Sequence, residues 1–161
     1  MSVTAAERVL RSAGIGYAEH HYEYLGLGDV GRDAAKAIGV DPAHLFKTLV
    51  VTGGGKHAMV LVPSSMETSF AEVARLLSRT DGAWRQRAEM ASIRDAERLT
   101  GYQVGGISAL GARRRLPVVV DETATSLERL YVNGGRRGLI LSVPRVDFIA
   151  VVCAIVGPVG R

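Results

Sequence analysis

The chain has 161 residues and a mass of 17.2 kDa, one domain's worth, and a domain of that size buries roughly two-thirds of its unfolded surface. Apolar residues make up 47% and charged ones 22%, which excludes extended disorder as the default reading. Twenty basic residues against sixteen acidic give a formal charge of +4, and only three of the twenty are lysines: Lys36, Lys47 and Lys56. The single cysteine, Cys153, excludes an intrachain disulfide and a multi-cysteine zinc site. Four histidines show no metal-ligand spacing. The start of the chain carries no apolar signal, and no run approaches the roughly 18 apolar residues of a membrane span. The expectation is a cytoplasmic protein with no membrane contact, no metal and no cofactor.

The elements follow in order. Thr4 to Ala13 reads as a helix with Val3, Ala6, Val9, Leu10 and Ala13 on one face, ended by Gly14 and Gly16. Tyr17 to Tyr24 reads as a strand, and Gly26 and Gly28 mark a loop. Val30 to Ile38 is a short helix closed by Gly39, and Asp41-Pro42 starts a further helical turn. Phe46 to Thr52, a triple glycine at 53–55, and His57 to Pro63 form the clearest hairpin signal. Ser69 with Glu72, and Ser92 with Asp95, open two helices, the first to about Arg79 and the second to about Gly101. A weak strand, Arg87 to Met90, lies between them. Pro117 to Asp121, Leu130 to Asn133 and Gly138 to Val143 are strands. A short helix begins near Asp147, and a last apolar strand lies around Cys153 to Val156. Irregular alternation around a central hairpin predicts an α+β fold: a mixed, barrel-like sheet with helices outside, in one domain over residues 1–161.

Few residues stand out chemically. In an extended strand Lys47, Leu49 and Val51 share one face and Phe46, Thr48 and Val50 the other. Lys47 reads either as an edge-strand charge that blocks aggregation or as an ammonium at the rim of a pocket. Lys36 and Lys56 read as solvated. The triple glycine followed by Lys56 lacks P-loop spacing and is a hairpin turn. Four glycines between Gly101 and Gly111 suit either a surface loop or a backbone that binds a carbonyl or phosphate. Arg113-Arg114-Arg115 and Arg136-Arg137 follow glycine-rich turns and suit either plain solvation or a phosphate backbone. Cys153, inside an apolar run, reads as a packed thiol. No nucleophile elbow is present.

The order of Phe46-Lys47-Thr48-Leu49, the segment Gly101-Tyr102-Gln103-Val104-Gly105-Gly106-Ile107-Ser108-Ala109-Leu110-Gly111, Arg115-Leu116-Pro117, and Tyr131-Val132-Asn133-Gly134-Gly135-Arg136-Arg137-Gly138 resembles the YbaK/EbsC family. The likeness spans nearly the whole chain. It implies a trans-acting aminoacyl-tRNA deacylase related to the editing domain of some prolyl-tRNA synthetases. The implied substrate is mischarged tRNA(Pro), foremost Cys-tRNA(Pro), with prolyl-tRNA synthetase as a further partner. By position it implies Lys47, Gly105 and Gly106 as catalytic groups, the glycines through backbone N–H. It implies Tyr22, Ser108, Asn133, Gly134 and Arg137 as substrate contacts. It also implies a substrate whose own thiol attacks its ester, which fits the missing nucleophile. Two positions depart from the family pattern: Asn133 stands where serine is common, and Ile140 where an acidic residue is. A non-catalytic tRNA-binding relative, or a deacylase for another small amino acid such as alanine, are the alternatives those departures open.

Salt-dependent tRNA binding separates the two readings of the arginine triplet. If Arg113, Arg114 and Arg115 touch phosphates, replacing them with Gln flattens the log–log salt slope by about 0.7–0.9 for each phosphate no longer neutralised. If they are only solvated, the slope stays as it is.

Overall fold

The computed structural model describes residues 2–85 and 87–161. Among the described residues five α-helices, α1 (Ala5–Ser12), α2 (Val30–Ile38), α3 (Phe70–Ser78), α4 (Ile93–Thr100) and α5 (Arg145–Val151), surround one sheet. Its strands are β1 (Ala18–His21), β2 (Leu45–Gly53), β3 (Lys56–Pro63), β4 (Glu89–Met90), β5 (Val118–Asp121), β6 (Arg129–Asn133), β7 (Leu139–Pro144) and β8 (Ile155–Gly157). The order is β1-β7-β6-β2-β3-β5-β8, with β4 added to β2. Pairs β2–β6, β3–β5 and β5–β8 are parallel and the others antiparallel, so the sheet is mixed as expected. No helix among the described residues is long and apolar enough to cross a membrane.

Local chemistry accounts for most boundaries. Thr4 caps α1 rather than beginning it. Its hydroxyl accepts from the Glu7 N–H, and the Glu7 carboxylate accepts from the Thr4 N–H, both at 3.1 Å. Ser69 and Ser92 cap α3 and α4 as the sequence indicated. Asp41 accepts from the Ala43 N–H and makes a turn, not a helix. The first strand ends at His21, before Tyr22 and Tyr24. The hairpin turn consists of Gly54 and Gly55, both at positive φ (55° and 78°), the conformation that suits the right-handed twist of the flanking strands.

One sheet face forms a continuous core. Phe46, Val50, Leu61, Val120, Leu130 and Leu141, from five strands, pack with Leu10 of α1, Phe148 of α5 and Ile107 of the glycine-rich loop. The other face carries two separate clusters. Val51, Val60, Val62 and Val119 pack under α3 and Trp84, whereas Leu45 and Ile140 pack under Ala34 and Ala35 of α2. Between these clusters the outer face of β2 presents Lys47 and Leu49, both only partly buried.

Cys153 is not packed. Helix α5 stops at Val151, and Cys153 takes a left-handed φ of 52° at the turn into β8, exposed to solvent. The apolar run around it is divided between a helix and a strand, and the cysteine falls on the pivot. The last strand accordingly starts at Ile155.

A Cβ on Gly54 would overlap the Ala83 carbonyl, in addition to the strain of its positive φ. Gly54→Ala is expected to lower unfolding free energy by about 2 kcal/mol in urea titration, with the denaturant slope unchanged.

Candidate functional site

The ladder of β2 is complete on one side and broken on the other. All residues from Phe46 to Gly53 pair with β3. On the opposite edge β6 pairs only with Leu45 and Phe46, and β4 only with Val51 and Thr52. Among the described residues no strand pairs with Lys47, Thr48 and Leu49 there. The Leu45 carbonyl accepts from Ser64 N on the β3 side, and the Val50 carbonyl accepts from Ala91 N on the other side. That alternation turns the Thr48 N–H and C=O toward the gap.

A cleft of ≈ 370 Å³ opens at this gap. Its volume falls in the range of small-molecule sites. Lys47 through Val50 form its floor. Tyr22, Tyr24 and the start of α2 form one wall, and Val104, Gly105, Ile107 and Asn133 another. Ala34, Leu45 and Ile140 close one end; Met90 and Ile93 stand at the other. Among the described residues the only charged ones in the lining are Lys47 and Asp29. Asp29 is already engaged, accepting from the Arg32 N–H as cap of α2 and lying 3.2 Å from the Arg32 guanidinium. The Thr48 hydroxyl is buried without a hydrogen-bond partner among the described residues. No cysteine, serine or histidine among them lines the cleft.

The sequence-predicted site residues divide into two groups. Lys47, Gly105, Tyr22 and Asn133 all line the cleft. Burial pushes the Tyr22 phenol above its ordinary value, so it stays protonated at neutral pH. Asn133 donates to the Ile107 carbonyl at 3.1 Å and ties β6 to the glycine-rich loop. Arg137 reaches the rim instead of the lining. Its guanidinium carbon sits 4.8 Å from the centre of the Tyr24 ring, and its Nε donates to the Val104 carbonyl.

Gly106, Ser108 and Gly134 lie outside the cleft. The Gly106 N–H donates to the Gln103 carbonyl at 2.9 Å, so it is not free to polarise an ester. Its missing side chain makes room for the Arg136 backbone. Ser108 is buried and accepts from the Leu110 N–H inside its own loop. Gly134 packs on Leu139, and its carbonyl accepts from the Thr4 hydroxyl at 2.6 Å. These three hold the fold around the site.

Strand β2 is interior in the sheet order, and Lys47 lies where one of its edges is locally open, in the lining of the cleft. Lys36 and Lys56 are exposed, with the Lys56 ammonium 3.9 Å from Asp81. Tyr24, Met90 and Ile93 were not singled out by sequence, whereas Ile140, at the closed end, was noted as a departure from the family pattern. An aromatic residue two positions after Tyr22, ahead of Gly26 and Gly28, was the available signal.

The family model for the aminoacyl-tRNA editing domain matches residues 29–151, a span that contains β2, the glycine-rich loop and β6. The chain belongs to the aminoacyl-tRNA editing domain family. This is the YbaK/EbsC grouping that its motifs resemble. A protein of Enterococcus faecalis provisionally named Cys-tRNA(Pro)/Cys-tRNA(Cys) deacylase EbsC is 26% identical over 137 residues, covering 84% of this chain and 80% of that protein. Two solved structures share the fold. The protein APE2540 superposes with a TM-score of 0.80 at 22% identity, covering 98% of this chain and 99% of that one. A protein provisionally described as a trans-editing enzyme for prolyl tRNA synthetase superposes with a TM-score of 0.79 at 20% identity, covering 100% and 99%.

Gly105 has a packing reason to be glycine. Its φ is 98°, and a Cβ there would overlap the Tyr24 ring. Gly105→Ala is expected to destabilise the chain by about 2 kcal/mol. Adding Tyr24→Ala should recover part of that loss, because the overlap is removed while the strain at φ stays. A double-mutant cycle by urea unfolding, with a coupling of about 1 kcal/mol, checks it.

Proposed function

We propose that this chain is a trans-acting aminoacyl-tRNA deacylase that hydrolyses the ester between a wrongly attached amino acid and tRNA(Pro) in the cytoplasm, with Cys-tRNA(Pro) as its leading substrate. The observation that carries this reading is the Lys47 ammonium beside the unpaired edge of β2, in an apolar cleft with no cysteine, serine or histidine among its described lining residues. Such a site offers positioning and electrostatics rather than a covalent step. Holding reacting atoms in a near-attack pose is worth up to roughly 7–11 kcal/mol.

In this reading Lys47 faces the ester and stabilises the oxygen that gains charge as the bond to the ribose breaks. The Thr48 N–H, turned into the gap, takes the carbonyl-polarising role that Gly106 cannot. With a cysteinyl ester, the substrate's own sulfur attacks the carbonyl carbon. A C–S bond forms, the C–O bond to the ribose breaks, the thiol proton ends on the ribose oxygen, and a cyclic thioester leaves. The fit to the relative named for Cys-tRNA(Pro) supports this choice. The fully buried Ile140, with Ala34 and Leu45, makes the closed end uncharged, which favours a second reading: a small apolar amino acid such as alanine, released by water.

Cys-tRNA(Pro) and Ala-tRNA(Pro) test both. The wild-type chain is expected to deacylate at least one, and Lys47→Ala to lower kcat/KM by about 10²–10³-fold with an unchanged Tm. Equal rates for the two proteins would remove Lys47 from the mechanism. No hydrolysis of either ester by the wild type would favour a tRNA-binding relative that has lost the chemistry.

A further inference from the structure

Among the described residues five large apolar side chains are well exposed: Leu25, Leu27, Met90, Ile93 and Val146. Two of them, Met90 at 51% and Ile93 at 65% exposure, line the same cleft as Lys47. Together they put exposed apolar surface at the mouth of the cleft.

Strand β2 serves as a ruler for that cleft. Residues in a strand advance about 3.3 Å each. Leu45, at the closed end, lies two residues before Lys47, a distance of about 7 Å. Met90 pairs with Val51, four residues beyond Lys47, a distance of about 13 Å in the opposite direction. Lys47 thus stands between a blind apolar end and an open apolar end.

The connectivity of an aminoacylated RNA fixes which way it lies. The amino acid is a chain end and can enter a blind pocket. The RNA continues and has to leave by the open side. With the ester at Lys47, the first group toward the open end is the terminal nucleoside, and about 13 Å accommodates a ribose and its base. Resting on the reading of the chain as a deacylase, we propose that Met90 and Ile93 seat the terminal nucleobase of the substrate, the adenine that ends every tRNA. A thioether beside a branched aliphatic chain gives a flat apolar contact for a π-face, and methionine sulfur packs favourably on aromatic rings. Because neither side chain is buried, their cost in the free protein is small and their removal leaves the core intact.

Two measurements on the full chain test this. First, the trinucleotide CCA is titrated into protein carrying ¹³C-methyl methionine, with Met90 assigned through Met90→Leu. The Met90 methyl is expected to shift upfield with CCA and to stay in place with a trinucleotide whose last residue is an abasic ribose. Lack of binding, an unmoved Met90 signal at saturation, or equal shifts with both probes would overturn the proposal. Second, on a hydrolysed mischarged tRNA, the double variant Met90→Ser, Ile93→Ser is expected to raise KM about tenfold with kcat within twofold. Met90→Leu alone, which keeps an apolar contact but loses the sulfur, should raise KM by less than the double variant does. On the same ester with an abasic terminus the wild type and the double variant should match. An equal rise on both substrates would mean a structural role and would overturn the proposal. Should the wild type hydrolyse no mischarged tRNA, the deacylase reading fails, and the methyl titration still decides whether a terminal adenine sits on Met90.

Discussion

The site depends on an interruption in hydrogen bonding along one edge of β2. A strand inside a sheet normally spends its polar backbone on both neighbours, and buried unpaired groups cost about 1–3 kcal/mol each. Here β6 takes Leu45 and Phe46, β4 takes Val51 and Thr52, and no described strand takes the residues between. The complete pairing to β3 keeps that stretch straight and fixed even though its other edge is open. The interruption therefore makes an opening without making a flexible loop. It places a lysine side chain, a backbone N–H facing the gap and a threonine hydroxyl on consecutive residues of a rigid strand.

The apolar lining sharpens the effect. Helix α2 covers one end of the gap, and the cleft is walled mainly by apolar side chains. A charge among apolar walls acts more strongly on a nearby dipole than the same charge in water. Asp29 could have offset it, but its carboxylate is turned to the α2 cap and to Arg32. Tyr24 completes the arrangement by lying between Gly105 and the Arg137 guanidinium, which joins the loop before α2 to the glycine-rich loop.

What could be read from the sequence follows from the range of the interactions involved. The caps at Ser69 and Ser92, the αL glycines at Gly39 and Gly101 and the hairpin at 54–55 are local chemistry, and each was placed within a residue or two. Lys47 stood out because it is a lysine on an apolar strand in an arginine-rich chain. Its place in a cleft is not a local property: the gap exists because β6, more than eighty residues later, stops pairing at Val132. The glycines show the same limit. Their clustering signalled a constraint, yet the constraint on Gly105 is the Tyr24 ring, on Gly106 the Arg136 backbone and on Gly134 the Leu139 side chain. The family resemblance assigned Gly105 and Gly106 to catalysis and Gly134 to substrate, and of the three Gly105 alone lines the cleft. Cys153 failed for a related reason, since an apolar run gives composition but not where a helix ends.

Ile140 bears on how such a site could discriminate under the proposed reading. It is fully buried and shares the closed end with Ala34 and Leu45, so the pocket there measures size and apolarity. An apolar pocket distinguishes substrates by only about 1–3 kcal/mol per methylene, and cysteine and alanine differ by a single sulfur. Binding alone would then admit both. The difference that remains is chemical: a cysteinyl ester brings its own nucleophile within reach of its carbonyl, and an alanyl ester has to wait for water. A site that supplies an ammonium and a backbone donor, with Asp29, the one carboxylate among the described lining residues, held by the α2 cap and Arg32, gives the self-reacting ester the faster route even when both are bound equally. Selectivity of that kind needs no charged residue at position 140, because the substrate's thiol performs the selection after binding.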